Sequence, residues 1–355
     1  MQRDIRAIVF TNPNEIEVQA VPLGACGARE VVCETIYSFV SPGTELRVLS
    51  GVAESQGKFP LIPGYSWVGR VIEVGSELRG WAVGDLVTGR NPIRIPELGF
   101  LWGGQASHHR CEVTGYDSVL KLPAGAAPWD YVATEVAAIS WRGVSMTFAA
   151  PGETAVVVGQ GLIGAFNALW LLHMGARVIV VDLVASRLER ALRWGATAAV
   201  NAAGGDALEQ VRALAPGGAD IVIEASSSRP GVELANQVLR QPYPRVMNCG
   251  YPVAALQGAA HFWPRLVYQA NYTHTQEVKP GRLSGGEGAL VMKPGDRTVD
   301  DRLAVLDLTR RGKMPLADIV TEATPVEQAP EAYLALRDHP DQYNTIVFDW
   351  RKERA

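Results

Sequence analysis

The stretch that decides the fold is TAVVVGQGLIG, residues 154–164. Its first half is a continuous apolar run, which is typical of a strand buried on both faces of a parallel sheet. Glycines with the spacing G-x-G-x-x-G follow, and a helical pattern over residues 162–174 begins within them. A second apolar run, residues 177–181, completes a strand–helix–strand unit. The stretch therefore predicts a doubly wound parallel sheet.

The same stretch predicts a binding site for a dinucleotide. In this spacing the first glycine permits a tight turn, the second lets the backbone approach a pyrophosphate, and the third lets helix and strand pack closely. The N–H groups at the helix N-terminus then face the phosphates. The residues assigned to this loop are Gly159, Gly161, Leu162, Ile163 and Gly164.

The type of dinucleotide is indicated by the end of the second strand. Asp182 lies close to the distance of about 20 residues from the glycines at which such folds place the carboxylate that binds the ribose hydroxyls. Because a carboxylate repels a 2′-phosphate, we expect NAD(H) rather than NADP(H). Arg187 is the opposing signal, since an arginine beside the ribose could pair with that phosphate. Cys249 and Gly250, at the end of a later strand, are also assigned to the cofactor.

Length and composition limit the class of protein. A chain of 355 residues favours two domains, and 47% hydrophobic residues, 20% charged residues and 36 glycines fit a soluble α/β protein. The net charge of -4 gives no basis for binding nucleic acid or a membrane, so we expect a small-molecule partner. No signal peptide, membrane span or Cys-x-x-Cys pair is found, which predicts a cytoplasmic protein without a structural zinc lobe.

The alternation of strands and helices changes along the chain. Short β segments dominate the first part, and helix–strand alternation starts with a helical pattern over residues 129–148. Near the end, one helix and one strand could return to the first domain. The sequence therefore predicts a β-rich domain of residues 1–128, completed by residues 312–355, and a cofactor domain of residues 129–311.

Two segments of the first domain carry a family resemblance. PGTELR, residues 42–47, and PGYSWVG, residues 63–69, stand where zinc alcohol dehydrogenases have Cys-Gly-Thr-Asp-x-His and Pro-Gly-His-Glu-x-x-Gly. With the dinucleotide unit and the domain order, they resemble the medium-chain dehydrogenase/reductase superfamily over nearly the whole chain. The resemblance implies a GroES-like catalytic domain followed by a Rossmann domain.

The metal ligands of the zinc enzymes are replaced in both segments. Pro42 stands at the cysteine position, and Tyr65 and Ser66 stand at the His-Glu position. Proline cannot ligate a metal, and hydroxyl groups are poor zinc ligands beside thiolate and imidazole. Glu135 matches a further carboxylate ligand of polyol-type members, but one carboxylate does not make a zinc site. We therefore expect a zinc-less member with no catalytic metal.

Among zinc-less members, two groups are the most similar. GTE (residues 43–45), PGY (63–65) and FLWGG (100–104) resemble the hydroxyethyl bacteriochlorophyllide dehydrogenases. AHF (260–262) and the segment from EAY to DHPDQ (331–342) resemble bacterial glycoside 3-dehydrogenases. Both groups convert an alcohol to a ketone. The resemblance implies an NAD(H)-dependent oxidoreductase that interconverts a secondary alcohol of a polyol, sugar derivative or other cyclic metabolite and its ketone.

Without zinc, another group must take the hydroxyl proton while hydride leaves. Tyr65, in the vacated ligand position, is the favoured acid or base, and Thr44 matches the hydroxyl that begins the proton relay in zinc relatives. Glu45 could orient Tyr65 or be the base itself, and Glu135 is a further candidate base. Arg47 could bind cofactor phosphate or lower the pKa of the phenol. Packing for Tyr65, and an ion pair of Glu45 with Arg47, are the structural alternatives.

Two other functions remain open. One is an NADPH-dependent enoyl or quinone reductase, which Asp182 disfavours. The other is a non-catalytic nucleotide-binding redox sensor or subunit, which the retention of Thr44 and Glu45 disfavours. The resemblance also implies a homo-oligomer, a dimer or a tetramer, that pairs through the edge of the cofactor sheet near residues 245–252.

Overall fold

The computed structural model describes residues 3–51, 58–90, 92, 95, 98–100, 103–113, 119–240, 245–248, 267–269 and 298–351. The chain divides into two compact units, Met1–Val136 with Arg302–Ala355 and Ala137–Asp301. No helix in the described ranges is long and apolar enough to cross a membrane.

The first part of the first unit consists mainly of strands. The strands are β1 (Arg3–Asn12), β2 (Glu15–Leu23), β3 (Glu30–Phe39), β4 (Leu61–Ile62), β5 (Trp67–Val74), β6 (Leu86–Gly89), β7 (Gly99–Phe100), β8 (His108–Glu112) and β9 (Leu120–Lys121). The helices are α1 (Pro42–Leu49) and α2 (Pro128–Tyr131), and α3 (Thr134–Ser145) continues into the second unit.

The second unit alternates strands and helices. The strands are β10 (Thr154–Val158), β11 (Arg177–Asp182), β12 (Ala198–Asn201), β13 (Ile221–Glu224), β14 (Arg245–Asn248) and β15 (Val267–Gln269). The helices between them are α4 (Leu162–His173), α5 (Ala185–Arg193), α6 (Ala207–Leu214) and α7 (Arg229–Gln237). Helix α8 (Thr298–Arg310) then leads back, and the first unit is completed by β16 (Thr324–Pro325), α9 (Ala329–Asp338) and β17 (Val347–Asp349).

The first unit contains two sheets. One has the strand order β2-β1-β4-β7, and the other has the order β16-β17-β3-β5-β6-β9, with β8 also paired to β3. Strand β17 pairs antiparallel with β3, so the C-terminal segment returns to the first unit as predicted. Helices α1 and α9 share one apolar core with β1 and β17, in which the ring of Tyr333 packs edge-on against Phe10 with centroids 5.2 Å apart.

The second unit contains one six-stranded sheet with the order β12-β11-β10-β13-β14-β15, in which all neighbouring strands are parallel. Every residue of β10 is buried, because helices cover both faces of such a sheet. The strand order reverses between β10 and β13, which is where doubly wound sheets bind ligands. The predicted fold class, a GroES-like β-rich domain with a Rossmann domain, is confirmed.

Three features differ from the sequence predictions. The helical pattern over residues 129–148 forms two helices, α2 and α3, and α1 was not predicted at all. The units meet within α3 and α8 rather than at residues 128 and 311, because a helix that continues through a boundary leaves no break in its periodicity. Strand β14 lies between β13 and β15 in the described sheet, residues 249–252 lie outside the described residues, and the subunit pairing expected near residues 245–252 stays a prediction.

A buried ion pair joins α3 and α8 within the first unit. Nε of Arg302 lies 2.5 Å from Oε1 of Glu135, and the two side chains are 0% and 2% exposed. Arg302 also donates from Nη2 to the carbonyl oxygen of Thr88 at 3.4 Å. Removing one member of such a pair leaves an uncompensated buried charge.

We expect Arg302→Met to lower the free energy of unfolding by about 3–5 kcal/mol, the cost of leaving the Glu135 carboxylate without its cation. The free energy of unfolding should fall less in the double variant Arg302→Met with Glu135→Gln, because neither charge remains buried. Urea unfolding followed by tryptophan fluorescence measures both. Equal losses in the single and double variants would contradict the ion-pair explanation.

Candidate active site

The glycine loop lies between β10 and α4, and each glycine has its own physical reason. Gly159 has a φ of 90°, which other residues rarely adopt, and a side chain there would meet the backbone nitrogen of Ser226 at 2.7 Å. A Cβ at Gly164 would collide with the carbonyl oxygen of Gly159, so this glycine lets α4 approach β10. A Cβ at Gly161, the N-cap of α4, would meet nothing within 4 Å. This open space fits a pyrophosphate approaching the helix N-terminus.

Asp182 and Arg187, the residues expected to decide between NAD(H) and NADP(H), lie together at the end of β11. Oδ2 of Asp182 accepts a hydrogen bond from the Gln160 N–H at 2.5 Å, and Oδ1 accepts one from the Val184 N–H at 2.8 Å. Nη1 of Arg187 lies 4.0 Å from Oδ1 of Asp182. The carboxylate at the ribose position therefore also holds the glycine loop, and Arg187 lies beside the protein's own carboxylate.

The remaining residues assigned to the cofactor lie in three separate parts of the chain. Leu162 and Ile163 begin α4, next to the glycines, as expected. Arg47 is half-buried on α1 of the first unit, so its role toward the cofactor stays a prediction. Cys249 and Gly250 lie outside the described residues, and their assignment also stays a prediction.

The first unit buries a carboxylate in α1. Oε1 of Glu45 accepts a hydrogen bond from the Ser41 N–H at 2.7 Å. Oε2 accepts hydrogen bonds from the Tyr333 hydroxyl at 2.6 Å and from Nε2 of Gln105 at 3.2 Å. Burial raises the pKa of Glu45 to about 7, and these hydrogen bonds from neutral donors only limit the rise. Glu45 can therefore take up or release a proton near neutral pH.

Gln105 is itself held in place by residues from β3 and the C-terminal segment. Its Oε1 accepts a hydrogen bond from the Ser38 hydroxyl at 2.5 Å, and its Nε2 also donates to the carbonyl oxygen of Phe39 at 3.3 Å. Nε1 of Trp350 donates to Oγ of Ser38 at 2.8 Å. This buried network fixes which end of the Gln105 amide faces Glu45.

Tyr65 lies buried just before β5, and its hydroxyl donates to Oγ of Ser41 at 2.7 Å. The guanidinium carbon of Arg90 lies 5.8 Å from the centroid of the Tyr65 ring, a cation–π contact. Glu45 and Tyr65 thus both contact Ser41, one at its backbone and the other at its side chain. Thr44 is buried in the same turn, and its N–H donates to the Ser41 carbonyl at 3.1 Å. Three of the four predicted catalytic residues therefore meet around Ser41.

The fourth, Glu135, forms the buried ion pair with Arg302. This contact gives the carboxylate a structural partner, and the role of Glu135 as a base stays a prediction. Sequence reasoning missed Ser41, Gln105 and Tyr333. The one signal for Ser41 was its place as an N-cap-type residue directly before the Pro42 that begins α1.

The residues at the former ligand positions do not fit a zinc ion. Pro42 offers no donor atom, Tyr65 uses its hydroxyl on Ser41, and the Ser66 hydroxyl donates to the carbonyl oxygen of Val132 at 2.6 Å. Within the described residues, no group of three or more His, Cys, Asp or Glu could hold a metal ion.

Two family models match the chain. The model described as "Alcohol dehydrogenase GroES-like domain" matches residues 27–138, and "Zinc-binding dehydrogenase" matches residues 163–271, so together they span more than half of the chain. The chain belongs to the medium-chain dehydrogenase/reductase superfamily. The match to the "Zinc-binding dehydrogenase" model begins at residue 163 in this superfamily member, so it does not include Pro42, Tyr65 or Ser66.

An L-threonine 3-dehydrogenase from Pseudoalteromonas atlantica is 31% identical over 181 residues, which is 45% of this chain and 52% of that protein. The match thus spans about half the length of this curated relative. A solved oxidoreductase/dehydrogenase of unknown specificity from Escherichia coli is 18% identical, with a TM-score of 0.78 over 98% of this chain and 99% of that one. A short chain alcohol dehydrogenase from Escherichia coli complexed with NADH is 16% identical, with a TM-score of 0.73 over 98% and 99% of the two chains. Both structures share the fold.

We expect Glu45 to make the stability of this superfamily member depend on pH. Its pKa rises from 4.5 in the unfolded chain to about 7 in the folded one, so the folded state binds more protons between these values. The free energy of unfolding should therefore fall by about 3 kcal/mol as pH rises from 4.5 to 7.

Chemical unfolding at several pH values measures this slope, and Glu45→Gln should flatten it. The matched control is Glu331→Gln, the same carboxyl-to-amide change at an exposed residue of α9. An unchanged slope in Glu45→Gln would show that another group titrates.

Proposed function

We propose that this protein is a zinc-independent, NAD(H)-dependent oxidoreductase that interconverts a secondary alcohol and its ketone. The observation that carries the proposal is the buried cluster around Ser41, because it puts a phenol and a carboxylate that titrates near neutral pH where zinc relatives bind their metal. The substrate class is a polyol, a sugar derivative or another cyclic metabolite. The glycine loop and Asp182 support the cofactor part of the proposal.

The proton steps are assigned to residues of the first unit. NAD(H), held by the glycine loop and Asp182, would supply the hydride chemistry that interconverts the alcohol and ketone carbons. The Tyr65 hydroxyl donates to Oγ of Ser41, and the phenol oxygen is the group assigned to accept a hydrogen bond from a substrate hydroxyl. In oxidation, Tyr65 acts as the phenolate, after releasing its own proton to water, and takes the hydroxyl proton of the alcohol while hydride leaves; in ketone reduction the neutral phenol gives its proton to the ketone oxygen. Glu45 positions Ser41 through the backbone N–H.

We expect Tyr65→Phe to lower kcat by about 100-fold or more, because it removes the group that exchanges the substrate proton. The Kd for NADH should change little, because the glycine loop and Asp182, which are assigned to the cofactor, are unaltered in this variant. The assay is a screen of secondary alcohols with NAD and of cyclic ketones with NADH, followed by nicotinamide absorbance. Tyr343→Phe, at an exposed tyrosine, is the matched control. Full activity of Tyr65→Phe would remove the phenol from the mechanism, and no turnover of any alcohol or ketone by the wild type would contradict the reaction itself.

The cofactor preference has its own test. We expect the wild type to bind NADH more tightly than NADPH, because the Asp182 carboxylate repels a 2′-phosphate and lies beside Arg187. Asp182→Asn should lower the ratio of the Kd for NADPH to the Kd for NADH. Fluorescence titration with both nucleotides measures it, and preference for NADPH in the wild type would favour a reductase of C=C bonds instead.

A cytoplasmic location and a homo-oligomer belong to the same proposal. Within the described residues, β12 and β15 are the two terminal strands of the cofactor sheet, and each has one neighbouring strand. Light scattering of the purified protein distinguishes a monomer, a dimer and a tetramer.

A further inference from the structure

We propose that Arg190 is a positioning residue of the dinucleotide site, which holds the Gln160 peptide of the glycine loop in the conformation that binds a pyrophosphate. The proposal concerns cofactor binding alone. It therefore stands or falls independently of the alcohol–ketone reaction, and its test needs no substrate.

Arg190 is an arginine on α5 that is 2% exposed. Nη2 donates a hydrogen bond to the carbonyl oxygen of Gln160 at 2.7 Å, and the guanidinium carbon lies 5.4 Å from the ring centroid of Trp194. Burying a charged group costs free energy unless it has partners of this kind. The contact with the loop is thus part of what makes a buried arginine acceptable in this helix.

Gln160 stands between the first two glycines and is held from both sides. Its N–H donates to Oδ2 of Asp182 at 2.5 Å, and its carbonyl oxygen accepts from Arg190 at 2.7 Å. Its side chain is buried, and Nε2 donates to the carbonyl oxygen of Gly159 at 3.0 Å. Glycines on either side give the loop many other conformations, so these contacts select one of them. A loop ordered before binding loses less conformational entropy when the ligand arrives.

The charge of Arg190 acts in the same direction. A pyrophosphate is anionic, and a buried cation bonded to the loop favours anion binding at the N-terminus of α4. Asp182 and Arg187 are two further charged groups at this loop, and they lie beside each other. Arg190 therefore adds a positive charge at the phosphate end of the site.

The sequence motif does not require an arginine at position 190. The G-x-G-x-x-G spacing and the acidic residue at the end of β11 define such sites, and they assign no role to this part of the following helix. Arg193 lies one turn later on the same helix and is exposed, so it provides a matched control of the same residue type.

The test uses the full chain and measures Kd values by nicotinamide fluorescence, with ADP-ribose and adenosine as competitors. We expect Arg190→Met to raise the Kd values of NADH and ADP-ribose by about tenfold or more, which is the usual effect of losing a charge-assisted hydrogen bond. The Kd of adenosine, which has no phosphate, should rise less than twofold. Arg193→Met should bind all three like the wild type. Arg190→Lys, which keeps the cation and a donor, should recover part of the affinity for ADP-ribose.

A merely structural role predicts a different result. Arg190→Met would then have a lower Tm, but its folded fraction would bind NADH with the wild-type Kd. Alternatively, its Kd values for adenosine and ADP-ribose would rise by the same factor. Either outcome would overturn the proposal. If Arg190→Met does not fold, Arg190→Gln keeps an amide donor without the charge, and an unchanged Kd for ADP-ribose in that variant would overturn it as well.

Discussion

The close approach of α4 to β10 is the constraint on which the second unit depends. It exists because Gly164 has no Cβ where the carbonyl oxygen of Gly159 lies. This approach sets the first turn of α4 at the end of the strand and leaves open space at Gly161, so its N-terminal N–H groups are available to an anion. A turn this tight leaves the peptide of Gln160 without strand or helix partners, and side chains from β11 and α5 supply them instead. The same backbone arrangement therefore determines both the packing of α4 on β10 and the shape of the cofactor site.

The first unit has no comparable backbone motif, and its candidate site depends on buried side chains. Ser41 lies where a phenol, a carboxylate and the start of α1 meet. Tyr65, Gln105 and, on α9, Tyr333 bring hydrogen-bond partners to this point from different parts of the chain. Because a buried polar group without a partner is costly, such a network specifies its own geometry and tolerates little change. Hydrogen bonds order the residues at this position.

How much of this could be predicted from the sequence depends on how local each cause is. The bounds of β10 were predicted correctly because a strand buried on both faces is a continuous apolar run. Helix α1 was missed because Pro-Gly-Thr-Glu has no helical periodicity, and the helix is stabilised by tertiary burial and by Glu45 reaching back to Ser41. Tyr333 could not be assigned to the site, since its contact with Glu45 joins residues from opposite ends of the chain. Arg190 was missed because an arginine in an amphipathic helix normally faces water.

Two buried carboxylates of the first unit show why environment, rather than residue type, decides a role. Glu135 lies against the guanidinium of Arg302, a fixed cation that is itself completely buried. Glu45 meets three neutral donors, and burial raises its pKa to about 7. A carboxylate beside a permanent cation is suited to hold structure, whereas one that burial brings near neutrality is suited to exchange protons. The same logic favours Glu45 over Glu135 as the carboxylate that takes part in the proposed reaction, in which it positions Ser41.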